Sequence, residues 1–207
     1  MFHDRNDAAN QLAERLKTYQ GQHPLVLAIP RGAVPMAKVI AARLGGDMDV
    51  VLVRKLRAPQ QPELAIGSVD ESGWTYLADH AGQYGADADY IEAEKRTQME
   101  TIRQRRARYT PIRAPINPTG RIVIVVDDGL ATGATMISAL HGLRASQPAR
   151  LVCAVPVSPP DTLDKVAGLA DEVVCLAAPA YFQAVGQFYR SFPQVDDDAV
   201  IDILKGA

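Results

Sequence analysis

Residues 123–135 read V-I-V-V-D-D-G-L-A-T-G-A-T and concentrate the chemistry of the chain. Val123, Ile124, Val125 and Val126 bring the backbone to the end of a buried strand, and Asp127 and Asp128 follow at once. Ligands of open α/β sheets bind outside the carboxyl ends of strands. An ionised carboxylate accepts on both oxygens, so two adjacent acids can hold neighbouring hydroxyls of a sugar ring. They can also face a hard cation such as magnesium. Gly129 and Gly133 allow tight backbone geometry, and the small Ala131 and Ala134 leave main-chain N–H groups open to an anion. Thr132 and Thr135 add hydroxyl donors, and the loop opens a helix near Thr135, whose N-terminus favours a phosphate. An ordinary Asp-Gly turn explains Asp128-Gly129, but not two acids followed by T-G-A-T. Neither G-x-x-x-x-G-K-[ST] nor G-x-G-x-x-G occurs in the chain.

Three basic segments could meet an anion. Arg31-Gly32-Ala33 follows an apolar run, where a guanidinium and a backbone N–H can point at one ligand. Arg54-Lys55 closes another run, although two basic residues there are usually just solvated. Residues 95–113 carry Lys95, Arg96, Arg103, Arg105, Arg106, Arg108 and Arg113 against one acid, Glu100. That run reads as a solvated helix face; attraction of a polyanion or self-association are the other readings. The aromatic tail Phe188-Tyr189-Arg190-Ser191-Phe192-Pro193 reads as core packing, with base stacking as the alternative.

The elements that must position these residues alternate between apolar runs and helical periodicity, the pattern of an α/β fold with a mostly parallel sheet. Helices are expected over 4–19, 34–44, 135–145 and about 161–169; strands over 24–29, 49–54, 122–126, 151–155 and 172–176. A hairpin over 64–78, turning at Glu71-Ser72-Gly73, and a long charged helix over 89–109 interrupt the rhythm and read as an insertion or lid. The 207 residues suit one domain, spanning 1–207. A net charge of −2 argues against nucleic acid as a partner. No apolar run approaches the roughly 20 residues of a membrane span, and the N-terminus lacks signal-peptide character, so a cytoplasmic location is expected. Cys153 and Cys175 sit in apolar runs and read as reduced strand residues.

The 123–135 segment resembles the 5-phosphoribosyl 1-diphosphate (PRPP) motif of type I phosphoribosyltransferases over its whole length: four apolar residues, two acids, a turn, then T-G-x-T. The resemblance implies a central, mostly parallel sheet flanked by helices with a small hood. Residues 56–115 would form a flexible loop, hairpin and helical insertion, and 177–207 would contribute to the hood. It implies that Asp127 and Asp128 bind ribose hydroxyls and meet magnesium indirectly. Gly129, Ala131, Thr132, Gly133, Ala134 and Thr135 would bind the 5-phosphate. Arg31, Gly32 and Ala33 resemble the family's pyrophosphate loop, where a cis peptide is common. Arg54 and Lys55 match its basic position at the base of a mobile loop, fitted here by R-A-P-Q-Q-P-E-L-A-I-G. Lys55 and Arg31 are then the catalytic candidates. The segments P-R-G, V-R-K-L and P-E-L-A-I-G are similar to those of uncharacterised bacterial phosphoribosyltransferases. Members acting on hypoxanthine and guanine carry an acid where Ala131 stands, so that acceptor class is disfavoured. The implied reaction moves the phosphoribosyl group of magnesium-bound PRPP to a nitrogen acceptor, such as a nucleobase, and releases pyrophosphate. A homodimer is common in the family. A non-catalytic PRPP-sensing regulator and a hydrolase are the alternatives.

Overall fold

The computed structural model describes residues 1–207. Helix α1 (Arg5–Arg15) starts at Asp4, whose side chain accepts from the Asp7 amide and satisfies a donor the first turn leaves free. It ends before residue 19 because the last turn tightens to a separate 3-10 turn, Lys17–Tyr19. Strand β1 (Leu25–Ala28) leads to α2 (Val34–Leu44), which has Pro35 in its first turn and stops at Gly45, φ 68°. Strand β2 is Asp47–Val50.

The expected strand over 49–54 is in fact two. The chain leaves the main sheet at Val51-Leu52, and β3 (Val53–Ala58) pairs antiparallel with β4 (Gln61–Asp70) in a second sheet. Hydrophobicity is continuous across the break, so nothing in the run marks where its backbone hydrogen bonds change partner. The segment expected as a flexible loop is the β3–β4 hairpin, turning at Pro59-Gln60 with register shifts between Leu56 and Ala58. Pro62 lies near the exposed hairpin tip, where a residue without an N–H is tolerated. Strand β5 (Thr75–Leu77) completes the three-stranded sheet β3-β4-β5, and the hairpin at 71–74 forms as expected.

Helix α3 (Ala88–Tyr109) is the long charged helix, capped by Asp87. Then follow β6 (Ile122–Val126), α4 (Ala134–Ala145), β7 (Arg150–Val157), α5 (Pro160–Ala167) and β8 (Glu172–Ala177). A final helix, α6 (Asp197–Lys205), starts at Asp196. No helix is long and apolar enough to cross a membrane.

The main sheet is fully parallel, in the order β2-β1-β6-β7-β8. Its three inner strands, β1, β6 and β7, are buried on both faces, which explains their near-continuous aliphatic runs. Alternate residues divide between two cores. Val26, Ile124 and Val152 pack with Leu12, Ile40 and Leu44 of α1 and α2. Leu25, Leu27, Val123, Val125 and Cys153 pack with Ile137, Leu140 and Leu143 of α4. Both cysteines are free thiols; burial pushes that of Cys153 far up, so it behaves as an inert apolar side chain.

Candidate functional site

The strand order reverses between β1 and β6. From β1 the chain proceeds outward to β2, and from β6 outward the other way to β7 and β8. Such a switch point leaves a crevice at the carboxyl ends of the two strands. Ala28 is in register with Val126, and the Ile29 amide donates to the Val126 carbonyl at 3.0 Å. Residues 29–33 and 127–133 therefore leave the sheet side by side. The Pro30–Arg31 peptide is cis. Gly32 abuts the acid pair so closely that a Cβ there would stand 2.0 Å from Asp128 Oδ2. Only glycine fits this approach.

The two acids are held differently. Asp127 Oδ1 accepts from the Asp128 amide at 2.9 Å. Asp128 Oδ2 accepts from Arg5 Nε at 3.1 Å and Arg5 Nη2 at 2.9 Å. The Tyr189 hydroxyl donates to the Asp128 carbonyl at 2.6 Å. Burial pushes the Asp127 carboxyl well above the usual carboxylate range, and the adjacent Asp128 charge pushes it further. Burial also raises Asp128, against the opposing pull of the Arg5 guanidinium.

A cavity of about 540 Å³ opens over the pair and is lined by Lys55, Asp127, Asp128 and residues 129–135, together with Glu63, Gln183 and Val185. Every residue expected to grip the ribose and the 5-phosphate thus faces one space. Gly133 caps α4 in the left-handed region, φ 77°, and a Cβ on it would lie 2.7 Å from Thr162 Cγ2. Thr162 Oγ1 donates to the Ala131 carbonyl at 2.7 Å and pins the loop from α5. Thr132 Oγ1 accepts from the Ala134 amide at 3.4 Å. The first N–H groups of α4 have no partner within the helix and are the natural donors to an anion. Lys55 reaches in from β3, with Nζ donating to the Glu63 carbonyl at 3.2 Å and lying 3.5 Å from its carboxylate.

A second cavity, about 390 Å³, is lined by Arg5, Arg31, Gly32, Arg54, Arg105 and Asp128, with Phe192, Gln194 and Val195 at its edge. Asp128 borders both spaces. The residues expected to take pyrophosphate are therefore divided: Arg31, Gly32 and Arg54 face the second cavity, and Lys55 the first. Ala33 is fully buried and lines neither. Arg54 donates from Nε to Gln98 Oε1 at 2.9 Å; burial and the neighbouring Arg105, Arg57 and Arg31 hold its guanidinium below its ordinary value. Asp197, at the start of α6, draws three of the basic side chains together: Arg31 at 3.7 Å, Arg105 at 3.6 Å and Arg108 at 3.5 Å. It also accepts from the Tyr109 hydroxyl at 2.7 Å.

The 95–113 run is consequently not just a solvated face. Arg105 is 12% exposed, and Arg106 makes a two-pronged pair with Glu71 at 2.8 and 2.6 Å. Charge density in the run marks a helix, but only the fold sets acids from the β4–β5 turn and α6 against it. The aromatic tail packs as expected: Tyr189 is buried and stacks on Phe192 at 4.7 Å between ring centres. Arg5 and Asp197 escape sequence reasoning as site residues, and Arg105 is not distinguished there from the rest of its basic run. Arg5 looks like an ordinary first-turn helix residue. Asp197 belongs to Asp196-Asp197-Asp198, whose only local signal is a helix start.

Residues 3–189 match the model of the phosphoribosyl transferase domain family. Proteins of two Mycobacterium tuberculosis strains, CDC 1551 and H37Rv, both carrying the name "Putative phosphoribosyl transferase", are 46% identical over 209 aligned positions. The match takes in 100% of this chain and 47% of theirs, so the chain spans about half the length of these relatives. The crystal structure of TT1426 from Thermus thermophilus is 44% identical, with a TM-score of 0.82 over 99% of this chain and 98% of that one. On the strength of the family match and of the parallel five-stranded sheet with its acid pair at the switch point, the chain belongs to the phosphoribosyl transferase domain family.

Proposed function

We propose that the protein transfers the phosphoribosyl group of PRPP to a nitrogen acceptor and releases pyrophosphate. One observation carries this reading. The acid pair, the 129–135 loop and Lys55 open into a single cavity, with the Arg31-Gly32 loop pressed against Asp128. In this reading Asp127 and Asp128 accept from the ribose hydroxyls. The N–H groups of 131–135 and the hydroxyls of Thr132 and Thr135 hold the 5-phosphate. Arg31, Arg54 and the backbone at Gly32 take the pyrophosphate, with Lys55 reaching it from the other side of Asp128; Ala33, fully buried, only supports the loop. The hairpin β3–β4 and the segment after β8 act as the hood.

The transition state has the character of an oxocarbenium ion, and the leaving group is a polyanion. Catalysis then rests on cationic groups placed where negative charge accumulates. Lys55 and Arg31 supply that charge, while the acid pair fixes the ring so that C1 faces the acceptor. The acid pair alone makes a poor dedicated metal cage, but magnesium is commonly held by one or two carboxylates plus substrate phosphates, which these residues fit. When bound with PRPP, magnesium would neutralise the diphosphate. Ala131 stands where family members acting on hypoxanthine and guanine carry an acid, which argues against those acceptors.

The test is turnover. With PRPP, magnesium and a panel of nucleobases, pyrophosphate release that requires one base supports the transferase. Release without any base shows a hydrolase instead. Tight PRPP binding with no turnover on any acceptor would favour a regulatory sensor and sink the enzymatic reading.

A further inference from the structure

We infer that Arg5 is a positioning residue that makes the acid pair selective for a sugar with an intact vicinal diol. The inference rests on the ribose assignment just proposed and adds a residue from outside the motif. Arg5 spends two donors, Nε at 3.1 Å and Nη2 at 2.9 Å, on the single oxygen Oδ2 of Asp128. Both Arg5 bonds fall on Oδ2, which leaves Oδ1 for a ligand hydroxyl. The guanidinium itself is held in place. Its Nη1 donates to the Pro193 carbonyl at 2.6 Å, and its central carbon lies 3.9 Å from the centre of the Phe192 ring. Phe192 stacks on Tyr189, whose hydroxyl grips the Asp128 main chain at 2.6 Å. Asp128 is thus fixed at side chain and backbone by one assembly drawn from both ends of the chain. Nη2 also stands 3.2 Å from where a Cβ on Gly32 would lie, so the arginine is wedged between the acid pair and the 31–33 loop. Anchoring α1 to the tail requires only the Pro193 and Phe192 contacts. The two-pronged contact to Oδ2 does something more: it stops the carboxylate rotating and aims its free oxygen.

The experiment compares ribose 5-phosphate with 2-deoxyribose 5-phosphate by calorimetric titration of the full chain. Both probes engage the phosphate loop, and only the first carries the diol. The wild-type protein should prefer ribose 5-phosphate by about tenfold or more, as expected when a charge-assisted hydrogen bond is lost. Arg5→Met should shrink that ratio to near unity, and Arg5→Lys, which keeps the charge without the fork, should lie between. Asp128→Asn added to Arg5→Met should change the ratio no further, because the two act as one unit. A merely structural arginine would lower the melting temperature and weaken both ligands equally, leaving the ratio intact; that result overturns the inference. Should Arg5→Met fail to fold, an unchanged ratio in Arg5→Lys overturns it equally. A wild type with no preference for the diol contradicts the ribose assignment itself.

Discussion

At the residue scale, the proposed ribose site costs the folded state stability. The Asp127 carboxyl sits in a site that favours its proton, because burial and the Asp128 charge both oppose ionisation. Its folded pKa is raised above the unfolded value. The stability it contributes is complete below the usual carboxylate range and is lost as pH rises through the folded pKa. Asp127→Asn should therefore raise the melting temperature at neutral pH and flatten the fall in stability with rising pH. Thermal melts of apoprotein across pH check this. The double change Asp127→Asn with Asp128→Asn should abolish measurable PRPP affinity while the protein remains folded; an unchanged titration would refute the diol assignment. Gly32→Ala is the complementary probe from the neighbouring loop. Its Cβ would meet Asp128 Oδ2 at 2.0 Å, so the acid or the loop must move. PRPP affinity should drop by at least about tenfold, with the loss registered in both ribose and pyrophosphate binding.

At the element scale, the loop proposed to hold the 5-phosphate depends on a packing contact between the start of α4 and α5. Gly133 combines φ 77° with a neighbour 2.7 Å from any added Cβ. Gly133→Ala should cost about 1–3 kcal/mol of stability and weaken ribose 5-phosphate more than pyrophosphate, a split readable by titrating the two separately. The loop's residue types are legible locally, since acids, small residues and threonines follow a β-branched strand. The hairpin β3–β4 is less so. Its sequence looks like a flexible loop because Pro59, Pro62 and the glutamines between them are turn chemistry, yet Ala58 pairs with Gln61 and Arg57 with Ala65. Lys55 reaches the cavity because β3 is a strand of this second sheet rather than an extension of β2.

At the scale of the whole molecule, the second cavity is assembled from distant parts of the chain. Arg5 comes from α1, Arg31 from the loop after β1, Arg54 from β3 and Arg105 from α3, and Asp197 of α6 pairs with Arg31 and Arg105. One carboxylate, Asp197, offsets three of the surrounding arginines, and its removal has two opposed effects. Asp197→Asn should lower stability by about 1–3 kcal/mol, since Tyr109 and the arginines lose a charged acceptor. The same change should raise pyrophosphate affinity several-fold at low salt, an effect that screening erodes as ionic strength rises. Calorimetry at two salt concentrations separates these outcomes, and a fall in pyrophosphate affinity would count against the second cavity as the pyrophosphate site.

The sequence by itself determined the strands and helices of the main sheet to within a few residues, the run at 49–54 excepted, and it carries the residue types behind the chemistry proposed for the 123–135 loop. Both are local properties: hydrophobic period, caps and the residue types a phosphate and a diol require. Tertiary structure alone decided which segments meet at that loop. The parallel pairing of β1 with β6 sets Gly32 against Asp128, and no spacing along the chain encodes a contact between residues so far apart. The break at Val51-Leu52 also belongs to the fold, because a continuous apolar run can donate its hydrogen bonds to either sheet. Arg5 and Asp197 acquire their places for the same reason. Each is an ordinary helix-end residue until the two ends of the chain are brought to the mouth of the crevice.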